Sequence, residues 1–261
     1  MQKYQTFLTE HISKQTSSIE SYIVDGIKVW LKKASIRHPW WIYLPLLWLS
    51  KFLNLQILTP VPNYGGRKSI LCEMKRIREL HHIGISVPEI LAETHDGVLI
   101  QDISYTDQGL MQLDEALGHQ ESLNDRIILL RKAIIEIKKI HAKESYLSEA
   151  FARNILVDSQ FNISFIDFET DPGYFLDLQT CQARDWLCLI FSTAFRFNHN
   201  DESEAITNLL KTELASESKV IKQLSTVGIR FKWLNKIGID KLGRDGKRMK
   251  SALDLLEALS H

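Results

Sequence analysis

Two Asp-Gly steps constrain this chain more than any other feature. Asp25-Gly26 is preceded by Ser21-Tyr-Ile-Val24 and followed by Ile27-Lys-Val-Trp-Leu31. Asp96-Gly97 is preceded by Ile90-Leu-Ala-Glu-Thr94 and followed by Val98-Leu-Ile-Gln-Asp-Ile103. Asp-Gly accepts the positive φ values that a tight hairpin turn demands, and β-branched and aromatic residues favour the flanking strands. Each step therefore predicts a hairpin. Between them, Ile70, Met74, Ile77 and Leu80 recur at helical spacing, which predicts an amphipathic helix over Ser69–His82. Gly84 and then Pro88 end it.

The rest of the chain reads differently. A long helix is expected from about Asn124 to His141, with Ile127, Leu130, Ile134, Ile137 and Ile140 on one face. Two short β-rich runs follow, Asn154–Asp158 and Ile163–Phe168, and then an apolar helix from Cys181 to Phe197. Residues 202–261 read as helices joined by glycine-rich turns. Strands followed by helices predict an α+β chain in two lobes. The expected division is a β-rich N-terminal lobe over 1–103 and a mostly helical C-terminal lobe over 104–261.

Composition excludes several classes. The 261 residues are 44% hydrophobic and 25% charged, so disordered and fibrous chains are ruled out. The 32 basic and 32 acidic side chains give no whole-chain attraction for nucleic acid. They are segregated, however. Residues 26–80 carry 10 basic and 2 acidic side chains, and residues 81–171 carry 7 and 16. Cys72, Cys181 and Cys188 form no C-x-x-C pair and read as small core residues of a reducing compartment. Met1–Glu10 is polar and mixed, unlike a secretory leader, so an intracellular protein is expected.

Phosphoryl transfer from ATP requires a cation for the α/β-phosphates, a carboxylate to hold that cation, metal-binding oxygens and a group to orient the acceptor hydroxyl. This chain offers them in order. Val29-Trp-Leu-Lys32 resembles the strand-lysine motif of kinases, with Lys32 in the lysine position; Lys33 would face the other side of the strand. Glu73 lies beside the apolar face of the following helix, where it can reach inward to Lys32. Leu147-Ser-Glu149-Ala-Phe-Ala-Arg-Asn154 resembles the catalytic loop, with Asn154 in the metal-binding position. Phe165-Ile-Asp167-Phe-Glu169 resembles the strand that leads into D-F-G, with Asp167 as metal ligand. Gln182-Ala-Arg-Asp185-Trp186 resembles the central helix of the kinase C-terminal lobe, where a buried aspartate accepts from the catalytic-loop backbone.

Over about Tyr22 to Phe197 the chain thus resembles the bacterial protein-kinase-like group that includes lipopolysaccharide-core and Kdo sugar kinases, and distantly protein and aminoglycoside kinases. The resemblance implies a two-lobed protein-kinase-like fold. It implies ATP and Mg as cofactors, Lys32 on the α/β-phosphates, Glu73 holding Lys32, Asn154 and Asp167 on Mg, Glu149 positioning the acceptor, and Asp185 in structural support. The implied acceptor is a hydroxyl of a lipid-linked sugar or a lipopolysaccharide-type glycolipid.

Three departures stand beside it. No glycine occurs in Gln15–Val24, where a phosphate-covering loop is expected. Glu149 replaces the catalytic aspartate and Leu147-Ser148 the preceding His-Arg. Glu169 replaces the glycine of D-F-G, and Glu169 and Asp171 add carboxylates that either bind metal or are solvated. A pseudokinase that binds nucleotide as a membrane-associated scaffold is the alternative. A serine/threonine protein kinase is a further one, weakened by the 17 residues between Asp167 and Asp185. A metal-dependent glycosyltransferase lacks the alternating βα pattern it needs.

One segment has no place in that pattern. Lys32 and Glu73 are 41 residues apart, and the surplus, about 35–66, holds Trp40, Trp41, Trp48, Tyr43 and Phe52 flanked by basic residues. Its apolar run, Trp40–Leu49, is too short to cross a bilayer, which takes about 20 residues. Aromatic and basic residues together suit an anionic membrane surface, so Trp40, Trp41 and Trp48 are expected to touch lipid and the protein to sit peripherally on the cytoplasmic face of the inner membrane. A buried helical pair on the N-terminal lobe is the other reading.

Overall fold

The computed structural model describes residues 2–34, 55–63, 65–106 and 109–260. The chain is α+β and 58% helical, with two small antiparallel sheets, a β-containing N-terminal region and a helical C-terminal part. Helix α1 (Gln2–His11) precedes strands β1 (Ile19–Val24) and β2 (Ile27–Lys33). Helix α2 (Gly66–His82) precedes β3 (Ile90–Thr94) and β4 (Gly97–Gln101). These strands form one sheet in the order β1-β2-β4-β3, with Trp30 opposite Ile100 and Lys32 opposite Val98.

The two Asp-Gly steps serve different ends. Asp25 and Gly26 both have positive φ, 57° and 76°, as a two-residue hairpin turn requires. The second turn is His95–Asp96, and Gly97 already belongs to β4. A Cβ there would lie 2.7 Å from the Lys32 carbonyl oxygen and 2.6 Å from Ile12 Cδ1, so Gly97 serves a close approach of backbone and helix end rather than a turn.

Alternation along β2 sorts its side chains. Val29 and Leu31 are fully buried with Leu8 of α1, Val24 and Leu99 in a small outer core. Lys28, Trp30 and Lys32 line a cleft on the other side. The main core is continuous between the two parts: Ile70, Met74, Ile77 and Leu80 of α2 belong to the same cluster as Ile134 and Trp186.

The C-terminal part begins with β5 (Met111–Gln112), α3 (Leu113–His119) and α4 (Leu123–Ala142). Ser122 caps α4 by accepting from the Asp125 amide at 3.1 Å. Strands β6 (Ile155–Val157) and β7 (Ile163–Phe165) complete a second sheet in the order β5-β6-β7. Helix α5 (Leu178–Thr193) starts before the expected Cys181 and runs into a 3-10 turn at Ala194–Arg196. Helices α6 (Asn200–Glu213), α7 (Ser218–Lys236) and α8 (Gly243–Ala258) close the chain. A Cβ at Gly228 of α7 would meet the Glu257 backbone nitrogen at 2.5 Å, so α7 and α8 pack backbone to backbone there.

All three cysteines are free thiols. Burial pushes the Cys72 and Cys181 thiols up to about 12 and raises Cys188 as well. None is a thiolate at neutral pH; Cys181 and Cys188 are core residues as expected, whereas Cys72 is only half-buried.

Of the aromatic insertion, Trp40, Trp41 and Trp48 lie outside the described residues. Its C-terminal end packs on protein. Leu55 and Ile57 are buried in the main core, and Arg184 Nη1 donates to the Ile57 and Thr59 carbonyls at 2.8 and 2.9 Å. No helix among the described residues is long and apolar enough to cross a membrane.

Candidate functional site

The site grows out of β2 and α2. Strand alternation turns Lys32 toward the cleft, and helical periodicity sets Glu73 next to Met74 on the inward face of α2. The two side chains meet across 41 residues of sequence, with Lys32 Nζ donating to Glu73 Oε1 at 2.6 Å. Glu73 is 1% exposed and Lys32 9%. Two further carboxylates approach the same ammonium: Asp167 Oδ1 at 3.7 Å and Glu169 Oε1 at 3.8 Å. Burial works against the Lys32 charge, but Glu73, Asp167 and Glu169 outweigh it and hold its pKa above the ordinary lysine value. Burial pushes the Glu73 carboxyl up, and Lys32 pulls it back. Lys33 also lines the cleft, but its ammonium donates to the Gln15 carbonyl at 2.5 Å.

The second half of the site is the loop between α4 and β6. Asn154 ends a 3-10 turn, Ala152–Asn154, and is buried. Its amide nitrogen donates to the Glu149 carbonyl at 3.2 Å, which leaves the amide oxygen on the other side. Its own carbonyl accepts from Ile166 N at 3.0 Å, fixing the chain next to Asp167. Asp167 has φ 70° and Ser148, beside Glu149, φ 85°. Left-handed backbone outside glycine is uncommon and collects where a side chain must be aimed against local preference. Glu149 is half-buried. Burial pushes its carboxyl up; Arg184 and Arg153 pull it down, Asp167 pushes it up, and a Thr170 side-chain hydrogen bond favours the ionised form.

Asp185 supports this loop from behind. It is fully buried on α5, and its Oδ2 accepts from Leu147 N at 2.7 Å and from His141 Nε2 at 3.0 Å. The His141 ring meets Trp186 edge-on at 5.2 Å. Asp171 belongs to a different arrangement. It accepts from Tyr146 Oη and from Gly173 N, and its Oδ2 is 3.7 Å from Lys75. It is not among the residues lining the cleft, whereas Glu169 is, with Asn63 Nδ2 donating to its Oε2 at 2.9 Å.

Lys32, Glu73, Asn154, Asp167 and Glu169 all line a cleft of 720 Å³ between the two sheets. No family model and no curated protein matches the chain. Its chemistry is therefore read from the geometry. Among the described residues no group of three His, Cys, Asp or Glu side chains is arranged to hold a metal. Asn154 and Asp167 offer two oxygens, the number Mg takes from protein when substrate phosphates and water supply the rest.

Sequence reasoning passed over Asp102, at the end of β4. Its carboxylate accepts from Trp30 Nε1 at 2.8 Å, from Ser104 N at 2.7 Å and from Ser104 Oγ, and pairs with Lys28 at 2.8 Å. Burial opposes its charge, but these donors hold its carboxyl below the usual range. Locally the sequence shows only an aspartate directly after the apolar run Val98-Leu-Ile100 and Gln101; its partner Trp30 is 72 residues away.

Proposed function

We propose that the chain has a two-lobed protein-kinase-like fold and transfers the γ-phosphate of ATP to a hydroxyl of a lipid-linked sugar or lipopolysaccharide-type glycolipid, working peripherally at the cytoplasmic face of the inner membrane. The observation that carries the nucleotide reading is the buried Lys32–Glu73 pair, with Asp167 at 3.7 Å, at the wall of a cleft whose size suits a nucleotide. The sheet order, the backing of the Leu147–Asn154 loop by Asp185 and the sequence resemblance support it. The glycolipid acceptor and the membrane rest on the resemblance and on the tryptophan-rich segment.

In this reading Lys32 holds the α/β-phosphates and Glu73 fixes Lys32. Asn154 and Asp167 would hold Mg, which when bound neutralises charge on the β- and γ-phosphate oxygens. Glu149 accepts the proton of the acceptor hydroxyl. The acceptor oxygen forms its bond to the γ-phosphorus as the bond to the β-phosphate oxygen breaks, ADP leaves and the proton passes on to solvent.

The experiment is γ-phosphate transfer from ATP to a bacterial glycolipid extract by the purified protein and Asp167→Asn. Transfer by the wild type and a loss of about 1,000-fold in the variant are expected. Equal transfer by both would overturn the reading. Nucleotide binding without transfer would favour the pseudokinase, which Glu149 motivates.

Glu149 adds a pH test. It must be ionised to accept a proton, and its pKa is raised. The kcat/KM should therefore fall as pH drops through a value above the ordinary glutamate range. Glu149→Gln should remove that acid limb and lower turnover by about 100- to 10,000-fold. An unchanged acid limb in the variant assigns it to another group.

A further inference from the structure

Trp30 is the largest side chain on the cleft face of β2, and the proposed reaction gives it no task. It shares that face with Lys28 and Lys32, and the cleft that Lys32 lines is also lined by Trp30. The strand-lysine motif V-A-I-K has a small alanine at the corresponding place. Here the indole stands there instead, and it is held: Trp30 Nε1 donates to Asp102 Oδ2 at 2.8 Å, and Lys28 Nζ lies 5.2 Å from the ring centroid. Asp102 is itself fixed by Ser104 N and by Lys28, so the ring cannot turn without releasing a buried carboxylate that is 6% exposed.

Apolar side chains line this end of the cleft as well, beside the polar Gln101, Ser104 and Gln112. Ile100 comes from β4, Leu110 from the connection to β5, Leu156 from β6, and Ile166 from just past β7. Two residues along a strand span about 7 Å. A planar group against Trp30 would thus sit one short step from the Lys32 ammonium. A flat aromatic ligand with a polyanion at one end fits such a site, whereas a polyanion alone uses only half of it.

We propose that the indole of Trp30, latched by Asp102, is the platform on which the base of the nucleotide stacks, and that it makes the cleft select nucleotides over base-free polyphosphates. This rests on the nucleotide reading above and deepens it. It also supplies cover from a fixed ring on the side where Gln15–Val24 has no glycine to supply a flexible loop.

The test is a calorimetric titration of the full chain with Mg-ATP and with Mg-tripolyphosphate, for the wild type, Trp30→Ala and Trp30→Phe, each checked for a cooperative melt. Stacking of one base on an aromatic ring corresponds to about 5- to 150-fold in affinity. Trp30→Ala should weaken ATP binding by a factor in that range and leave tripolyphosphate binding unchanged. Trp30→Phe keeps a ring and should weaken ATP much less; it also carries the test if the alanine variant does not fold. Unchanged or tighter ATP binding by Trp30→Ala would overturn the proposal, because the indole would then be idle or obstructive. Equal weakening of both ligands would overturn it too, as a general distortion of the cleft. A wild type that binds tripolyphosphate but not ATP would show that the ring closes the base site, sinking the stacking proposal while leaving the phosphate site standing. A wild type that binds neither ligand would end the nucleotide reading itself, and the stacking proposal with it.

Discussion

Lys32→Met is expected to cost about 3–5 kcal/mol of stability, apart from any loss of phosphate transfer. Glu73 is 1% exposed, and Lys32 is its counter-ion at 2.6 Å. Removing the ammonium leaves a buried carboxylate with nothing to balance its desolvation. Its pKa, already raised by burial, then rises further. The folded variant binds a proton that the unfolded chain releases at lower pH. Its stability should therefore fall as pH rises through the folded-state value of Glu73, making it more stable at pH 5 than at pH 8 relative to the wild type. Urea unfolding at the two pH values checks this. The double variant Lys32→Met/Glu73→Leu should recover most of the lost stability, since replacing both partners removes the unpaired charge, yet it should recover no phosphate transfer. A Lys32→Met protein as stable as the wild type at pH 8 would mean that the pair is not buried as described.

The second large effect is expected at Asp185. Asp185→Ala removes the acceptor for Leu147 N and for His141 Nε2 in a fully buried place. Two buried donors lose their partner, at about 1–3 kcal/mol each. Leu147 lies two residues before Glu149, so the loss reaches the site through the loop. A displacement of about 1 Å in a reacting group can cost 100-fold in rate. Hydrogen exchange at the Leu147 amide reports the local change directly. Exchange should accelerate strongly in Asp185→Ala while amides of α2 stay protected relative to the variant's own global stability. Unchanged protection at Leu147 would contradict the role given to Asp185.

Some of this was legible in the sequence because it depends on local periodicity. The 3–4 spacing in α2 sets Glu73 beside its inward face, and the resemblance of Val29-Trp-Leu-Lys32 to the strand-lysine motif marks Lys32. The meeting of the pair across 41 residues followed from the ordered motif, not from either residue alone. Helix α1 was also written locally: Tyr4, Phe7 and Leu8 face one way, and all belong to the outer core. The polar composition that sets Met1–Glu10 apart from a secretory leader masks this spacing.

Other features depend on tertiary context. Gly97 looks like a turn glycine, and only the proximity of Ile12 and of the Lys32 carbonyl shows its actual constraint. Asp171 is spaced like a second metal carboxylate, but Tyr146, from the loop after α4, engages it. Asp102 and Trp30 are 72 residues apart and become partners because β2 pairs with β4. Leu55 and Ile57 belong to an aromatic stretch that suggested lipid, yet Arg184 of α5 fastens the adjoining carbonyls to the protein. Propensity and pattern report which face a residue takes, and not what waits on that face.

The most direct measurement is Mg-dependent ATP binding by the full-length protein, wild type against Asp167→Asn, by isothermal titration calorimetry. The Lys32–Glu73–Asp167 cleft predicts saturable, one-to-one binding of ATP that requires Mg in the wild type, and a loss of the Mg-dependent part in the variant with its fold intact. A wild type that binds no ATP, or a variant that binds Mg-ATP as the wild type does, would contradict it.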